Sequence, residues 1–180
     1  MDKKSILKSS IVGFFIISIL GTLLHFVFQF SGYNIFIGIF SAINESVWEH
    51  LKIAIVPVIL WTLFEFSKYK YRWDNLWTSL FVKIITIMIS ITFGFYFYKF
   101  IFSGHNVVID ILLFYISILF GQITGYFVSI RKKVNINIEE ISKLFVIFIF
   151  MLFIFFTFFP PKVGLFKDES TNTFGIFKIN

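Results

Sequence analysis

No cysteine occurs among the 180 residues, which removes disulfide staples, thiolate metal sites, thiol nucleophiles and palmitoylation from consideration. Charge is scarce as well. Only 14% of the chain is charged, while 58% is hydrophobic and 22% aromatic; soluble globular domains carry about 25% charge. So little polar surface cannot cover a ball in water, and an ordinary soluble domain is excluded. The excess must face lipid. A bilayer-spanning helix takes about 20 residues, so the 180 residues leave no room for a separate soluble domain. The chain reads as one all-α integral membrane domain, 1–180, a polytopic helical bundle.

What charge there is has a pattern. The net charge is +6, but the basic residues fall in short clusters between apolar runs rather than in one solvated patch, so nucleic acid is not a partner. The 29 phenylalanines read as a compositional bias before they read as a function. Hydropathy predicts five spans, at about 11–30, 47–66, 76–102, 107–130 and 144–159, with a tail over 160–180. Between the first two, Ser31-Gly32-Tyr33-Asn34 and about eleven mostly apolar residues are too short to cross, which predicts a re-entrant or interfacial segment. Pro57 falls inside the second span and predicts a bend. Lys83 and Lys99 lie within the third and are expected to snorkel toward opposite surfaces. Glu65 and Lys68 read as a helix-end pair.

Ten of the sixteen Lys and Arg residues lie in the N-terminus and in the 67–75 and 131–143 links, and none in the 31–46 and 103–106 links. The positive-inside rule then predicts a cell-membrane protein with a cytoplasmic N-terminus and an extracytoplasmic C-terminus. On that orientation His25, His50 and His105, with Glu45, Glu49, Asp110, Asp168 and Glu169, collect toward the outer side. His25 lies about 9 Å below the outer end of the first span, at 1.5 Å per residue. Ionisable groups at such depth are costly and usually face a cavity or a partner.

The densest group is Asn44-Glu45-Ser46-Val47-Trp48-Glu49-His50-Leu51-Lys52. If helical throughout, it puts Glu45 and Glu49 on one face with Ser46 and His50 beside them. Carboxylates and imidazoles so placed can hold a divalent metal such as zinc and polarise a water bound to it, with His25 and Asp110 completing the site. A structural role is open for the same residues. Ser46-x-x-Glu49 is a capping box, acids favour a helix start, and Trp48 suits a membrane interface. Asp110 follows Asn106, a predicted cap, and His105 reads as a turn residue. Gly121, Gln122 and Gly125 form a small-xxx-small face that predicts close approach of another helix, in the same molecule or in a homodimer. Phosphate loops, His-Glu-x-x-His and Gly-x-Ser-x-Gly motifs and internal repeats are all missing from the sequence.

Three segments carry a resemblance. Gly21-Thr22-Leu23-Leu24-His25-Phe26, Ser31-Gly32-Tyr33-Asn34 and Gly38 through Lys52, with its Asn-Glu-Ser-x-Trp-Glu-His-x-Lys core, resemble a family of small bacterial integral membrane proteins known only as a domain of unknown function. The tail, Pro160-Pro161, Leu165-Phe166, Asp168 and Thr173-Phe174-Gly175-Ile176, is similar to that family's. It departs at Glu169, where the family tends to have proline, at Asn172 or Thr173 for glycine, and at Phe174 for tyrosine. The resemblance implies that His25, the Glu45–Lys52 cluster and Asp168 belong to one constellation, and it carries no reaction with it.

Two functions follow as expectations. One is a metal-assisted hydrolase or transferase acting on a lipid or envelope substrate at the outer face, with His25, His50 and Asp168 as metal ligands, Glu45, Glu49 and Asp110 as catalytic groups, and the tail as a lid. Asn44, Ser46, Trp48 and Lys52 would orient them. The other is a non-catalytic membrane scaffold in which the cluster caps the second span and pins the neighbouring loops. Small-solute transport has less support, because no chain of charges crosses the membrane.

Overall fold

The computed structural model describes residues 3–68, 74–102, 104, 106–168 and 170–176. Six helices follow in order, α1 (Lys3–Phe30), α2 (Ile35–Gly38), α3 (Val47–Lys68), α4 (Leu76–Phe102), α5 (Val107–Ser129) and α6 (Ile136–Phe158), with a 3-10 turn at Gly164–Phe166. All except α2 are long and apolar enough to cross a membrane, as hydropathy predicts. The most enclosed is α3, packed against α1, α4 and α5. Its Leu51, Ile53, Ala54, Ile55 and Val58 are buried. α4 in turn carries α5 and α6. Outward faces present large apolar side chains such as Phe15, Ile19, Ile111, Phe127 and Phe148, a surface suited to lipid contact.

Two spans begin earlier than hydropathy implies. α1 is already helical at Lys3, and no glycine or proline interrupts it before Gly13; the Ser9 hydroxyl near its start donates to the Glu65 carboxylate of α3. α6 begins at Ile136, where Asn135 accepts the Asn137 N–H at 2.9 Å. Glu139, which hydropathy leaves in a link, therefore sits in the first turn of α6. Its carboxylate accepts the backbone N–H groups of Trp77 at 2.6 Å and Thr78 at 3.0 Å, satisfying donors that a helix start leaves open. α6 thus caps α4. Buried Asn75 ties the same region together, donating to the carbonyls of Val128 and Lys132 and accepting from the Val134 N–H.

The segment after α1 reverses at Gly32 and Tyr33, whose φ values are 69° and 62°. Then come the single turn of α2, capped by Asn34, and a loop to Ser46. As expected it is too short to cross. Pro57 lies inside α3 and is buried.

Several side chains lie elsewhere than the sequence suggests. Lys83 does not snorkel. Its side chain is 2% exposed and its Nζ lies 3.8 Å from Glu65 Oε2, so Glu65 pairs across helices and not simply with Lys68. Lys99, by contrast, is half-buried near the end of α4, its ammonium 5.4 Å from the centre of the Phe95 ring. Gly121 and Gly125 are buried against α4 of the same chain. A Cβ at Gly125 would meet the Lys83 stem at 2.3 Å, and one at Gly121 would meet Ile87 at 2.7 Å. That face therefore serves packing within the chain. Trp48 is no interfacial anchor but is buried among Phe153, Phe156 and Phe166, with ring centres 4.5–5.4 Å away. Lys70, Arg72, His105, Glu169 and Lys178 lie outside the described residues.

Candidate functional site

Where α3 begins decides what the cluster is. Asn44 accepts the Ser46 N–H at 3.0 Å through its side chain and donates its amide to the Gly175 carbonyl at 3.0 Å. This turn holds residues 44–46 out of the helix, which starts at Val47. Glu45 and Glu49 consequently do not share a helix face, contrary to the expectation for an all-helical segment. Their carboxylates go to different places, and the nine residues divide into two functional halves.

One half pins loops. Glu49 Oε2 lies 2.6 Å from Lys52 Nζ and accepts the Ile43 N–H at 3.1 Å. Lys52 Nζ also donates to the Gly38 carbonyl at 2.8 Å and to the Thr157 hydroxyl at 3.0 Å. Both side chains are almost completely buried. The capping box is only half formed. Ser46 Oγ accepts the Glu49 N–H at 3.4 Å, but the Glu49 carboxylate bonds Ile43 and Lys52 instead of returning to the Ser46 N–H. Glu49, expected as a catalytic group, thus joins Asn44, Ser46 and Lys52 in holding the 38–46 loop, α6 and the tail to α3.

The other half faces open space. His25 Nε2 lies 3.4 Å and His50 Nε2 3.7 Å from Glu45 Oε2, and the two imidazole centres are 5.2 Å apart. Each of the three residues offers a ligand atom, and all these atoms lie within 4.8 Å of one another. About a quarter of each imidazole and 44% of the Glu45 side chain remain exposed. The His50 Nδ1 lies 2.9 Å from the Ser46 carbonyl. A carbonyl can only accept, so Nδ1 carries a proton and Nε2 is the ring nitrogen that faces Glu45. This is the arrangement by which a ligating histidine is usually oriented from behind.

Asp110 stands beside the group in the first turn of α5. Asn106 does cap that helix, accepting the Val108 and Ile109 N–H groups at 2.9 and 3.2 Å. Yet Asp110 is more than a first-turn acid. It accepts a hydrogen bond from the Tyr98 hydroxyl of α4 and lines two cavities. A chamber of about 30 Å³ lies among Glu45, His50, Asp110 and apolar neighbours, room for one or two waters, since one water needs about 10–15 Å³. A larger cavity of about 320 Å³ is lined by His25, Glu45, His50 and Asp110, with Thr22 and Tyr115 on its wall. Nothing in the sequence marks Tyr98 or Tyr115, because their partners lie on other helices.

Asp168 is not one of the three convergent groups. Its Oδ1 accepts the Ser170 N–H and hydroxyl at 2.7 Å and the Thr171 N–H at 3.1 Å, so it organises a tail turn. Burial pushes its carboxyl up, but the Ser170 and Thr171 donors, with the Glu45 N–H, outweigh that and leave it below the usual value. The tail packs on Trp48 of α3 through Phe166 and on the Asn44 turn through Gly175, and no described tail residue lines either cavity. Its described residues brace the start of α3 rather than cover either cavity.

Glu45 titrates below the ordinary carboxylate value. The hydrogen bond with the His25 imidazole is the largest cause, opposed by burial and aided by the charges of His25 and His50. A depressed carboxyl stabilises the fold above its ordinary value near 4.5 and loses that contribution as pH falls through the lower folded value. A melting-temperature series against pH checks this. The difference between wild type and Glu45→Gln should shrink as pH falls from about 5 through the lower folded value, and shrink again as pH rises far enough for the imidazoles that depress Glu45 to lose their protons.

The curated proteins and the solved structures contain no significant match to this chain. The family model of DUF6512, described as a family of unknown function, matches residues 1–176, and the chain with its paired histidines and Glu45 therefore belongs to that family.

Proposed function

We propose that the protein is a membrane-embedded, metal-assisted hydrolase or transferase whose site is built by His25, Glu45 and His50 and acts on a lipid or envelope substrate. The convergence of these three side chains carries the reading. Ligand atoms about 2.0–2.1 Å from a tetrahedral zinc stand about 3.3–3.4 Å apart, and the two His–Glu distances are 3.4 and 3.7 Å. Three protein ligands with a position left open is the catalytic rather than the structural pattern. A bound ion would supply an activated water or polarise a carbonyl or phosphoryl oxygen. Asp110, held by Tyr98 at the edge of the small chamber, is the general base in this reading. The basic links orient the site toward the extracytoplasmic side, with the N-terminus in the cytoplasm.

A scaffold reading has support of its own in the buried Glu49–Lys52 pair and its bonds to Gly38, Ile43 and Thr157. Those contacts account for Glu49 and Lys52, as the turn at Asn44 accounts for Asn44 and Ser46. They do not account for two imidazoles and a carboxylate gathered around open space.

Metal analysis separates the two. Purified protein reconstituted with zinc should hold about one ion per chain, and His50→Ala or His25→Ala should lose it while still folding. Equal metal in wild type and His50→Ala, or none in either, would leave the scaffold. Binding should also weaken as pH falls below about 6.5, where histidine protons compete with the ion.

A further inference from the structure

The 320 Å³ cavity beside His25 does not end at the polar cluster. It shares Thr22 and Tyr115 with a second cavity of about 410 Å³ between α1 and α5. That one shares Phe14 and Phe15 with a third, of about 380 Å³, which reaches Leu7 and Tyr126. The three follow one another along the α1–α5 seam, the first two meeting at the Thr22–Tyr115 hydrogen bond, and are together called the groove. From Phe26 to Leu7 it runs 19 residues of helix, about 28 Å at 1.5 Å per residue, close to the roughly 30 Å of a bilayer's hydrocarbon core. Its rims carry Leu7, Ile19, Ile111 and Leu119, all exposed to the surroundings. Ser10 and Ser18, both small, line it and are buried. Thr22 Oγ1 donates to the Ser18 carbonyl at 2.9 Å and so accepts from the Tyr115 hydroxyl at 3.0 Å. This strut marks where the polar cavity gives way to an apolar one.

We propose that this groove seats one hydrocarbon chain of a membrane lipid, with the polar linkage of that lipid at His25, Glu45 and His50. The occupant follows from position. The groove opens sideways on a face that is otherwise apolar, where lipid chains are the surrounding medium, and its polar end is continuous with the one cluster of imidazole and carboxylate groups around open space among the described residues. Phe26 to Phe15 covers about 17 Å, the depth of about one leaflet. A chain lying along it would present its ester or phosphoester, and not its methyl end, to Glu45 and Asp110. The proposal rests on the hydrolase or transferase reading for what happens at the polar end, and it names the substrate class of that site as a chain-bearing lipid that arrives from within the bilayer.

Photolabelling tests it without knowledge of the reaction. The full chain is placed in vesicles of phosphatidylglycerol and phosphatidylethanolamine containing a phospholipid with a diazirine at mid-chain or at the chain end. Mid-chain label should map near Ser18 and Thr22, chain-end label near Phe14 and Phe15, each well above label on the outward face of α6. Leu119→Trp fills the third cavity beside Phe14 and Phe15 from a half-exposed position and should cut chain-end labelling there about tenfold, the change that 1.4 kcal/mol of lost binding gives, with zinc content unchanged. Even labelling of all outward faces, or chain-to-chain crosslinks along the seam showing a second copy there, would overturn the proposal. If groove labelling holds while zinc is absent, the lipid site stands and the metal reading falls. If zinc holds and labelling is even, only the groove fails.

Discussion

Lys52→Met should cost about 3–5 kcal/mol of folding free energy, the usual penalty for removing one partner of a buried ion pair. Native proteins hold only about 5–15 kcal/mol in total, so most of the folded population is at stake. The reason is the company Lys52 keeps. Its ammonium neutralises Glu49 at 2.6 Å and is bonded to the Gly38 carbonyl and the Thr157 hydroxyl, with neither charged side chain reaching solvent to any extent. Methionine keeps the volume but leaves a carboxylate and two acceptors facing an apolar interior. Thermal unfolding in detergent reads the loss, and limited proteolysis should locate its first consequence at the 31–46 segment, which loses its tie to α3 and α6. Pairing the substitution with Glu49→Leu should restore more than half of the stability, because replacing both charges with apolar groups is often neutral. Lys52→Met within about 1 kcal/mol of wild type would mean that the pair is solvated, as exposed pairs worth about that much are.

Glu65→Ala should have an effect of similar size at the opposite end of the bundle. There the Lys83 ammonium lies 3.8 Å from Glu65 Oε2 with both side chains 2% exposed, and the second carboxylate oxygen takes the Ser9 hydroxyl. Removal of the carboxylate leaves an ammonium inside the bundle, at about 3–5 kcal/mol. The Lys83 stem cannot swing aside toward α5 without leaving the channel that Gly125 provides for it. The expected result is a large drop in unfolding free energy for Glu65→Ala and recovery in Glu65→Ala with Lys83→Met. A single substitution that leaves stability unchanged would show that Lys83 can reach water. Zinc content should stay as in wild type in the recovered double variant, since His25, Glu45 and His50 lie at the other end of the helices.

Much of the fold was legible in the amino-acid order. Low charge and long apolar runs allow few solutions other than helices in lipid, because backbone groups there must bond within their own segment. Asn106 as the cap of α5 could be read from local chemistry, and so could the non-spanning segment after α1. The early starts of α1 and α6 could not, since polar starts have no hydropathy signal and are fixed by bonds to other helices, Ser9 to Glu65 of α3 and Glu139 to the first turn of α4.

The candidate site was half legible. Residue types and spacing pointed to His25, Glu45, His50 and Asp110. The family resemblance added Asp168, and residue types pointed equally to Glu49, because spacing along one segment cannot tell which of two carboxylates turns toward a cavity. The Asn44 turn decides that, and its second bond comes from Gly175, 131 residues away. What the sequence determined by itself was therefore the medium, the number of spans and the short list of chemically able residues, all set by local composition. The tertiary structure alone decided which carboxylate is a brace and which faces the imidazoles, and it alone set the three cavities in series along the α1–α5 seam. Those outcomes depend on contacts between helices that no local pattern encodes.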